Sequence, residues 1–275
     1  MAHDARTALI TGASSGIGEG FARRLAERGY DLILVARRAE RLAERAALLT
    51  TQYGVDVEVL PADLATDEGV RRVEARIIDC DTLDLLVNNA GFGTTGRFAE
   101  IDLGPQLAMI HVHVIAPVRL TRAALPGMLR RGAGGIVNVS SVAAFWPNPG
   151  SVTYSATKAY LNAFSEALAH ELRGTGVTVQ ALCPGFTRTE FHDTETFTGF
   201  DRSVIPEALW MSVQEVVEAS LRGLEREQII VIPRLIYRVL ASLGRSTLGA
   251  FLRRHLNTEW RAVFSRPTTA TADAH

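Results

Sequence analysis

The sequence predicts an α/β protein, a parallel sheet doubly wound with helices on both faces. Three observations carry this. Short apolar runs alternate with longer segments of helical period up to about residue 232. Several runs are apolar throughout, without the alternation of a half-exposed strand, as expected for strands buried on both faces. No composition shift marks a linker and no segment repeats, so residues 1–232 are expected to form one domain.

Seven strands are predicted, at Thr7–Ile10, Asp31–Val35, Asp56–Leu60, Leu83–Asn88, Gly135–Val139, Val177–Leu182 and Ile229–Ile232. Helical patterns lie between them, at Gly18–Arg28, Glu40–Tyr53, Asp67–Asp79, a long stretch near Gln106–Arg130, Ser151–Arg173 and Val213–Glu225.

The first strand runs into Thr11-Gly12-Ala13-Ser14-Ser15-Gly16-Ile17-Gly18 and then a helix. Glycines at such a turn let the backbone approach a phosphate, and the helix N-terminus offers free N–H groups and a positive dipole. The spacing is G-x-x-x-G-x-G rather than G-x-G-x-x-G. A tight turn alone would also use glycine; the strand before it and the helix after it favour dinucleotide binding.

The second strand ends in Leu34-Val35-Ala36-Arg37-Arg38. An acidic residue here would bind the adenosine ribose hydroxyls, whereas arginine accommodates a 2′-phosphate. A solvated helix start is the bland alternative, but cations at a helix N-terminus are unfavourable without a compensating anion. The expected cofactor is therefore NADP(H) rather than NAD(H), with Arg37 as a ligand. Asp63, in Ala62-Asp63-Leu64 after the third strand, either accepts from an adenine amino group or caps the helix near Asp67. The fourth strand ends in Asn88-Asn89-Ala90-Gly91. Both follow carboxyl ends of parallel strands, the edge that faces a ligand crevice.

The fifth strand ends on Ser140 and Ser141. A loop with Pro147 and Pro149 follows, then a helical pattern carrying Tyr154 and Lys158. Positions i and i+4 share a helix face, so phenol and ammonium can enter one cleft. A nearby fixed cation favours a phenolate. Lys158 is the only lysine in an arginine-rich chain, so a compact ammonium is needed there in particular.

The totals exclude several classes. A net charge of -1 gives no basis for a nucleic-acid partner. Cys80 and Cys183 are too few for a disulfide framework and fit a reducing compartment, and no metal-ligand spacing occurs. No signal peptide and no apolar run of the ~18–20 residues that span a bilayer are read, so a cytoplasmic protein is expected.

Four segments together, TGASSGIG at 11–18, NNAG at 88–91, a serine before YSATK at 154–158, and PGFTRT at 184–189, resemble the classical short-chain dehydrogenase/reductase (SDR) family, from about residue 5 to 232. The resemblance implies a Rossmann-type sheet of about seven strands in the order 3-2-1-4-5-6-7. It implies hydride transfer between a nicotinamide and a carbonyl or alcohol carbon. Tyr154 would be the general acid/base, and Lys158 its pKa-lowering neighbour and a ribose ligand. Ser141, thirteen positions before Tyr154, would bond the substrate oxygen, leaving Ser140 structural. Thr187 would hold the nicotinamide carboxamide, and Thr189 would lie near the phosphates. The cofactor set then comprises Gly12, Ser14, Ser15, Gly16, Ile17, Gly18, Arg37, Asp63, Leu64, Asn89, Ala90, Gly91, Tyr154, Lys158, Pro184, Gly185, Thr187 and Thr189. A homodimer or homotetramer through two long helices is also implied.

One position departs from the family pattern. His113 stands where an asparagine usually helps hold a proton-relaying water. An imidazole donates at one nitrogen and accepts at the other, so it either preserves a relay or only packs within the helix. His111, two residues away, faces another side, so the pair does not suggest a metal site.

The segment at about 186–212 has loop character and matches the family's substrate lid, with Phe191, Phe197, Phe200 and Trp210. Ser141, Ala143, Phe145, Trp146, Phe186 and Phe191 are the expected pocket, which points to an apolar substrate; plain packing is the alternative. Residues 233–264 read as a helical extension. Its apolar stripe of Leu235, Ile236, Val239, Leu240 and Leu243 covers the domain or a partner subunit, or else 234–254 lies on an anionic membrane. Residues 265–275 are expected to be disordered. Two rivals are set beside the oxidoreductase: a non-catalytic, cofactor-dependent sensor on the same fold, which His113 would suit, and a Ser–His hydrolase. Against the hydrolase, there is no G-x-S-x-G elbow and His170 has no evident acid partner.

Overall fold

Apolar runs without alternation become strands covered on both faces. In the computed structural model, which describes residues 6–193 and 202–246, they are β1 (Thr7–Thr11), β2 (Asp31–Ala36), β3 (Val57–Pro61), β4 (Leu83–Asn88), β5 (Gly134–Val139), β6 (Val177–Leu182) and β7 (Ile230–Val231). They form one parallel sheet in the order β3-β2-β1-β4-β5-β6-β7. The helices are α1 (Gly16–Glu27), α2 (Ala39–Tyr53), α3 (Asp67–Ile78), α4 (Leu103–Ile110), α5 (Ala116–Arg131), α6 (Val152–Glu171), α7 (Val213–Glu225) and α8 (Leu235–Arg245).

Strand periodicity of two divides the core in half. Ala8, Ile10, Leu32 and Leu34 pack with Phe21 and Leu25 of α1, Leu42 of α2 and Val216 and Val217 of α7. The intervening Leu9, Ile33 and Val35 pack on the other face with Val70 and Val73 of α3 and Leu120 and Met128 of α5. The strand order reverses direction between β1 and β4, and at such a switch point the strand carboxyl ends open a crevice.

The long helix expected near 106–130 is not uniform. A π-helical turn, His111–Ile115, separates α4 from α5, with Ala116 N–H bonded to His111 O five residues back. Pro117 explains it: it has no N–H for the His113 carbonyl, and its ring crowds that carbonyl.

α8 turns Tyr237, Ala241 and Gly244 inward, while Leu235 (73% exposed), Ile236, Val239 and Leu240 face outward. Four of the five stripe residues therefore do not cover this domain. Phe197, Phe200, the stretch beyond residue 246 and the tail expected to be disordered lie outside the described residues. Among those described, no helix is long and apolar enough to cross a membrane.

Candidate active site

The glycine turn between β1 and α1 is shaped by NNAG. Gly12 (φ 66°) and Gly16 (φ 59°) occupy the left-handed region that favours glycine. A Cβ on Gly12 would lie 2.8 Å from Asn89 Nδ2 and 2.9 Å from Ala90 Cα, and one on Gly18 would run into the Gly12 carbonyl. Asn89 Nδ2 donates to Thr11 O (2.9 Å) and Gly12 O (3.3 Å), while the Asn89 and Ala90 amides donate to Thr11 Oγ1 (2.9 and 3.0 Å). Asn88 points into the core, where its Nδ2 donates to Asn138 Oδ1 (2.9 Å) and Thr121 Oγ1 (3.2 Å). The result is a bare backbone cradle ending on the first turn of α1, whose N–H groups have no carbonyl four residues back. Residues that fit a dinucleotide phosphate are therefore present.

Beside this cradle the basic residue that reaches in is Arg38. Its Nη2 donates to Ser14 Oγ (3.0 Å) and Ser15 Oγ (3.2 Å), and its Nη1 is 3.5 Å from Glu190. Arg37 is exposed at the end of β2. Arg41, which belongs to none of the four family-like segments, donates to both Glu190 oxygens (3.1 and 2.9 Å). A hydrogen bond from Arg41, with Arg38 close by, holds the Glu190 carboxyl below its usual pKa. The signal was there in the sequence: Arg41 is one helical turn from Arg38. Asp63 does not cap α3. Thr66 does, accepting from Gly69 N–H (3.1 Å), because the Asp63 carboxylate is taken by the Ala65 amide (3.0 Å). Leu64 is buried, and its carbonyl meets His111 Nδ1 at 2.9 Å.

The two serines after β5 sit in different surroundings. Ser140 Oγ donates to Lys158 O (2.8 Å) inside the core. Ser141 starts a short 3₁₀ turn, its Oγ accepting from Ala143 N–H (3.1 Å), and it stands close enough to the Tyr154 phenol to affect its pKa. Tyr154 and Lys158 share a face of α6, the Lys158 Nζ 5.6 Å from the phenol ring centroid. Lys158 is 5% exposed and donates to Val139 O (2.8 Å). Burial pushes the lysine pKa down to about 7, opposed by Cys183. Burial pushes Tyr154 up to about 12, with the neighbouring Ser141 side chain pulling the other way. In the cofactor-free protein the phenol is thus raised, opposite to the direction expected from Lys158. Desolvation by burial is the largest cause of that rise.

His113 is 1% exposed, with both ring nitrogens committed. Phe92 N–H donates to Nε2 (3.2 Å), so the neutral ring carries its proton on Nδ1 and gives it to Thr157 Oγ1 (3.0 Å), which donates in turn to Tyr154 O (2.9 Å). Burial, then the Lys158 charge, push the imidazole well below its ordinary pKa. A Cβ on Gly91 would meet Nε2 at 2.7 Å, so that glycine makes room for the ring. The geometry is that of the packing alternative, a histidine bonded into the scaffold beside Tyr154.

Phe191 faces the phenol, ring centroids 5.9 Å apart, and Phe186 packs at 5.6 Å on Trp210, which lies between Arg188 and Arg202 at 5.7 Å each. Phe145 departs from the pocket expectation. It is 5% exposed and packs with Ala181, Cys183 and Ala241, because α8 covers the side it would have opened. Ala143 and Trp146 are half-buried, Trp146 against Gly244. After β6, Thr187 Oγ1 donates to Gly185 O (3.0 Å), and Thr189 lies beside Gly16, within 3.2 Å of a Cβ built there. The carboxyl end of β6 and the glycine cradle therefore meet across the crevice.

Fold and crevice together define a dinucleotide-binding α/β protein. The family comparison makes this specific: the family model for short chain dehydrogenases matches residues 6–197, and the chain belongs to that family. Sulfoacetaldehyde reductase 2 of Chromohalobacter salexigens is 41% identical over 198 residues, 71% of this chain and 77% of that one. A short-chain dehydrogenase from Sphingobium yanoikuyae, solved in complex with NADPH, is 37% identical with a TM-score of 0.78, covering 98% of both chains. The bulky-bulky ketone specific alcohol dehydrogenase of Comamonas testosteroni is 33% identical with a TM-score of 0.76, also covering 98% of both. The protein is accordingly an oxidoreductase of this family, on a fold that binds a nicotinamide cofactor.

Proposed function

We propose that the protein is an NADP(H)-dependent oxidoreductase that interconverts an apolar ketone or aldehyde and its alcohol, with Tyr154 as general acid/base. The observation that carries this reading is that Tyr154 and the buried Lys158 amine share one face of α6, with Ser141 beside the phenol. The bound nicotinamide would supply the hydride in reduction and accept it in oxidation. Ser141 hydrogen-bonds the substrate oxygen. As the carbonyl carbon is reduced, Tyr154 gives its proton to that oxygen, and the phenolate left behind is reprotonated from solvent. A phenol pushed up to about 12 holds that proton at neutral pH, which suits the reducing direction. Lys158 binds the cofactor ribose and, when protonated, stabilises the transient phenolate. Gly12, Gly16 and Gly18 let the pyrophosphate approach backbone N–H groups, and Thr187 anchors the carboxamide.

Preference for NADP(H) rests on β2 ending in Arg37 and Arg38 instead of an acidic residue that would bind the ribose hydroxyls, with Glu190 paired to Arg38 and Arg41 nearby. The solved relative that holds NADPH supports it. An apolar substrate is supported by Phe191 over Tyr154 and Phe186 nearby. Exposed Leu103, Leu107 and Ile110 on α4 support self-association through that helix.

The test is fluorescence titration with NADPH and NADH, then a carbonyl panel that sets bulky apolar ketones against small anionic aldehydes. Tighter NADPH binding with turnover of the apolar ketones is expected. NADPH binding with no turnover anywhere would favour a sensor, and preferred turnover of the anionic aldehydes would move the substrate class.

A further inference from the structure

The loop after β6 is held from a side that none of the proposed catalytic groups occupies. Gly185 lies flat on the ring of Tyr237, and a Cβ built there would run into three ring carbons. Tyr237 belongs to α8 and is 2% exposed. Its hydroxyl accepts from Phe186 N–H (3.2 Å) and donates to Leu209 O (2.6 Å), which one hydroxyl can do at once. Burial pushes its pKa up, so it keeps that proton.

Phe186 and Leu209 stand at the two ends of the segment expected to cover the substrate. Backbone bonds join the same ends: Met211 N–H to Phe186 O (2.8 Å) and Arg188 N–H to Met211 O (3.0 Å), around a parallel bridge between Thr187 and Met211. The turn into α8 is constrained as well. Arg234 has φ 62° and ψ 138°, a conformation costly for a residue with a side chain. Its guanidinium donates to Glu215 (2.8 Å) and to Ala208 O (2.8 Å), next to Leu209. Such strain persists only where contacts over-determine it, and here they fix where α8 begins and hence where Tyr237 reaches.

We propose that Tyr237 is a positioning residue for hydride transfer, setting the Gly185–Thr187 loop and the base of the lid relative to Tyr154 without touching substrate. This rests on the oxidoreductase reading above. Tyr237→Phe keeps the ring on Gly185 and removes only the hydroxyl. In the full-length protein, with NADPH and a ketone that wild type reduces, kcat should fall about tenfold. NADPH affinity, set largely by the glycine turn and the arginines, should stay within about twofold. The primary isotope effect on kcat with 4-deuterated NADPH should rise, because hydride transfer becomes slower relative to product release. A purely structural role would lower melting temperature and active fraction but leave kcat per folded enzyme and the isotope effect unchanged. That result, or wild-type kcat, overturns the proposal. Should the variant not fold, hydrogen exchange of the Phe186 amide in wild type decides. Protection supports the clamp, and exchange at the rate of an open loop overturns it. A wild-type protein that binds neither NADPH nor NADH fails the oxidoreductase reading instead, before any variant is made.

Discussion

At one end of the crevice Arg38 and Arg41 stand in water around Glu190; at the other Lys158 is buried with a backbone carbonyl for a partner. The exposed end works by ion pairing. Each pair there is weak, screened by salt and exchangeable for another anion. The buried end works by desolvation, which moves an amine down to about 7 and a phenol up to about 12. An exposed cation cluster suits capture of a charged group, and a buried, desolvated pair suits proton transfer.

The sharpest break in that comparison is Tyr154→Phe. It removes the proton donor and leaves the arginine end intact, so turnover should fall by about 10²–10⁴-fold while NADPH affinity stays near wild type. Steady-state kinetics beside a fluorescence titration checks both halves. Turnover close to wild type would refute the assignment.

The complementary change is at the exposed end. Arg38→Asp should weaken NADPH by about 10–100-fold, the worth of a charge-assisted contact, with little loss for NADH. The preference for NADPH should also shrink as salt rises. If Arg38→Asp leaves it intact while Arg37→Asp abolishes it, the exposed Arg37 is the dominant ligand, and the contact of Arg38 with Ser14 and Ser15 only shapes the turn.

Desolvation also leaves a thermodynamic trace. The folded pKa of Lys158 lies below its unfolded value, so between about pH 7 and 10 the unfolded chain holds a proton that the folded one lacks. Stability of the cofactor-free protein should therefore rise with pH across that window. Above about 10, Tyr154 reverses the sign, since the unfolded phenol ionises first. Melting temperatures from about pH 7 to 9 should climb for wild type and flatten for Lys158→Met. A flat wild-type profile would mean that water reaches the amine.

The sheet was legible in the sequence because strands buried on both faces leave continuous apolar runs, and all seven fall within two residues of their expected bounds. The YSATK segment was legible because i, i+4 spacing fixes which side chains meet on a helix. Three things were not. The sign of the Tyr154 shift depends on how much water is removed, which spacing does not encode. Phe145 is turned into the core by α8, a contact across about a hundred residues. Tyr237 lies outside every local motif and shows its role only when Gly185 folds beneath it.

The smallest expected effect concerns His113, which stands between the two regimes. It is buried like Lys158, yet every polar atom of its ring is spent on the scaffold: Nε2 on Phe92 N–H and Nδ1 on Thr157 Oγ1. Asparagine is shorter and cannot span both partners, so His113→Asn should cost about 1 kcal/mol for a buried hydrogen bond lost. A neutral ring that titrates well below the working range contributes no ionisation to catalysis. The pH profile of kcat should therefore keep its shape while the melting temperature drops. A displaced pH profile at unchanged stability would place the imidazole in the proton path and extend the buried regime one residue beyond Tyr154 and Lys158.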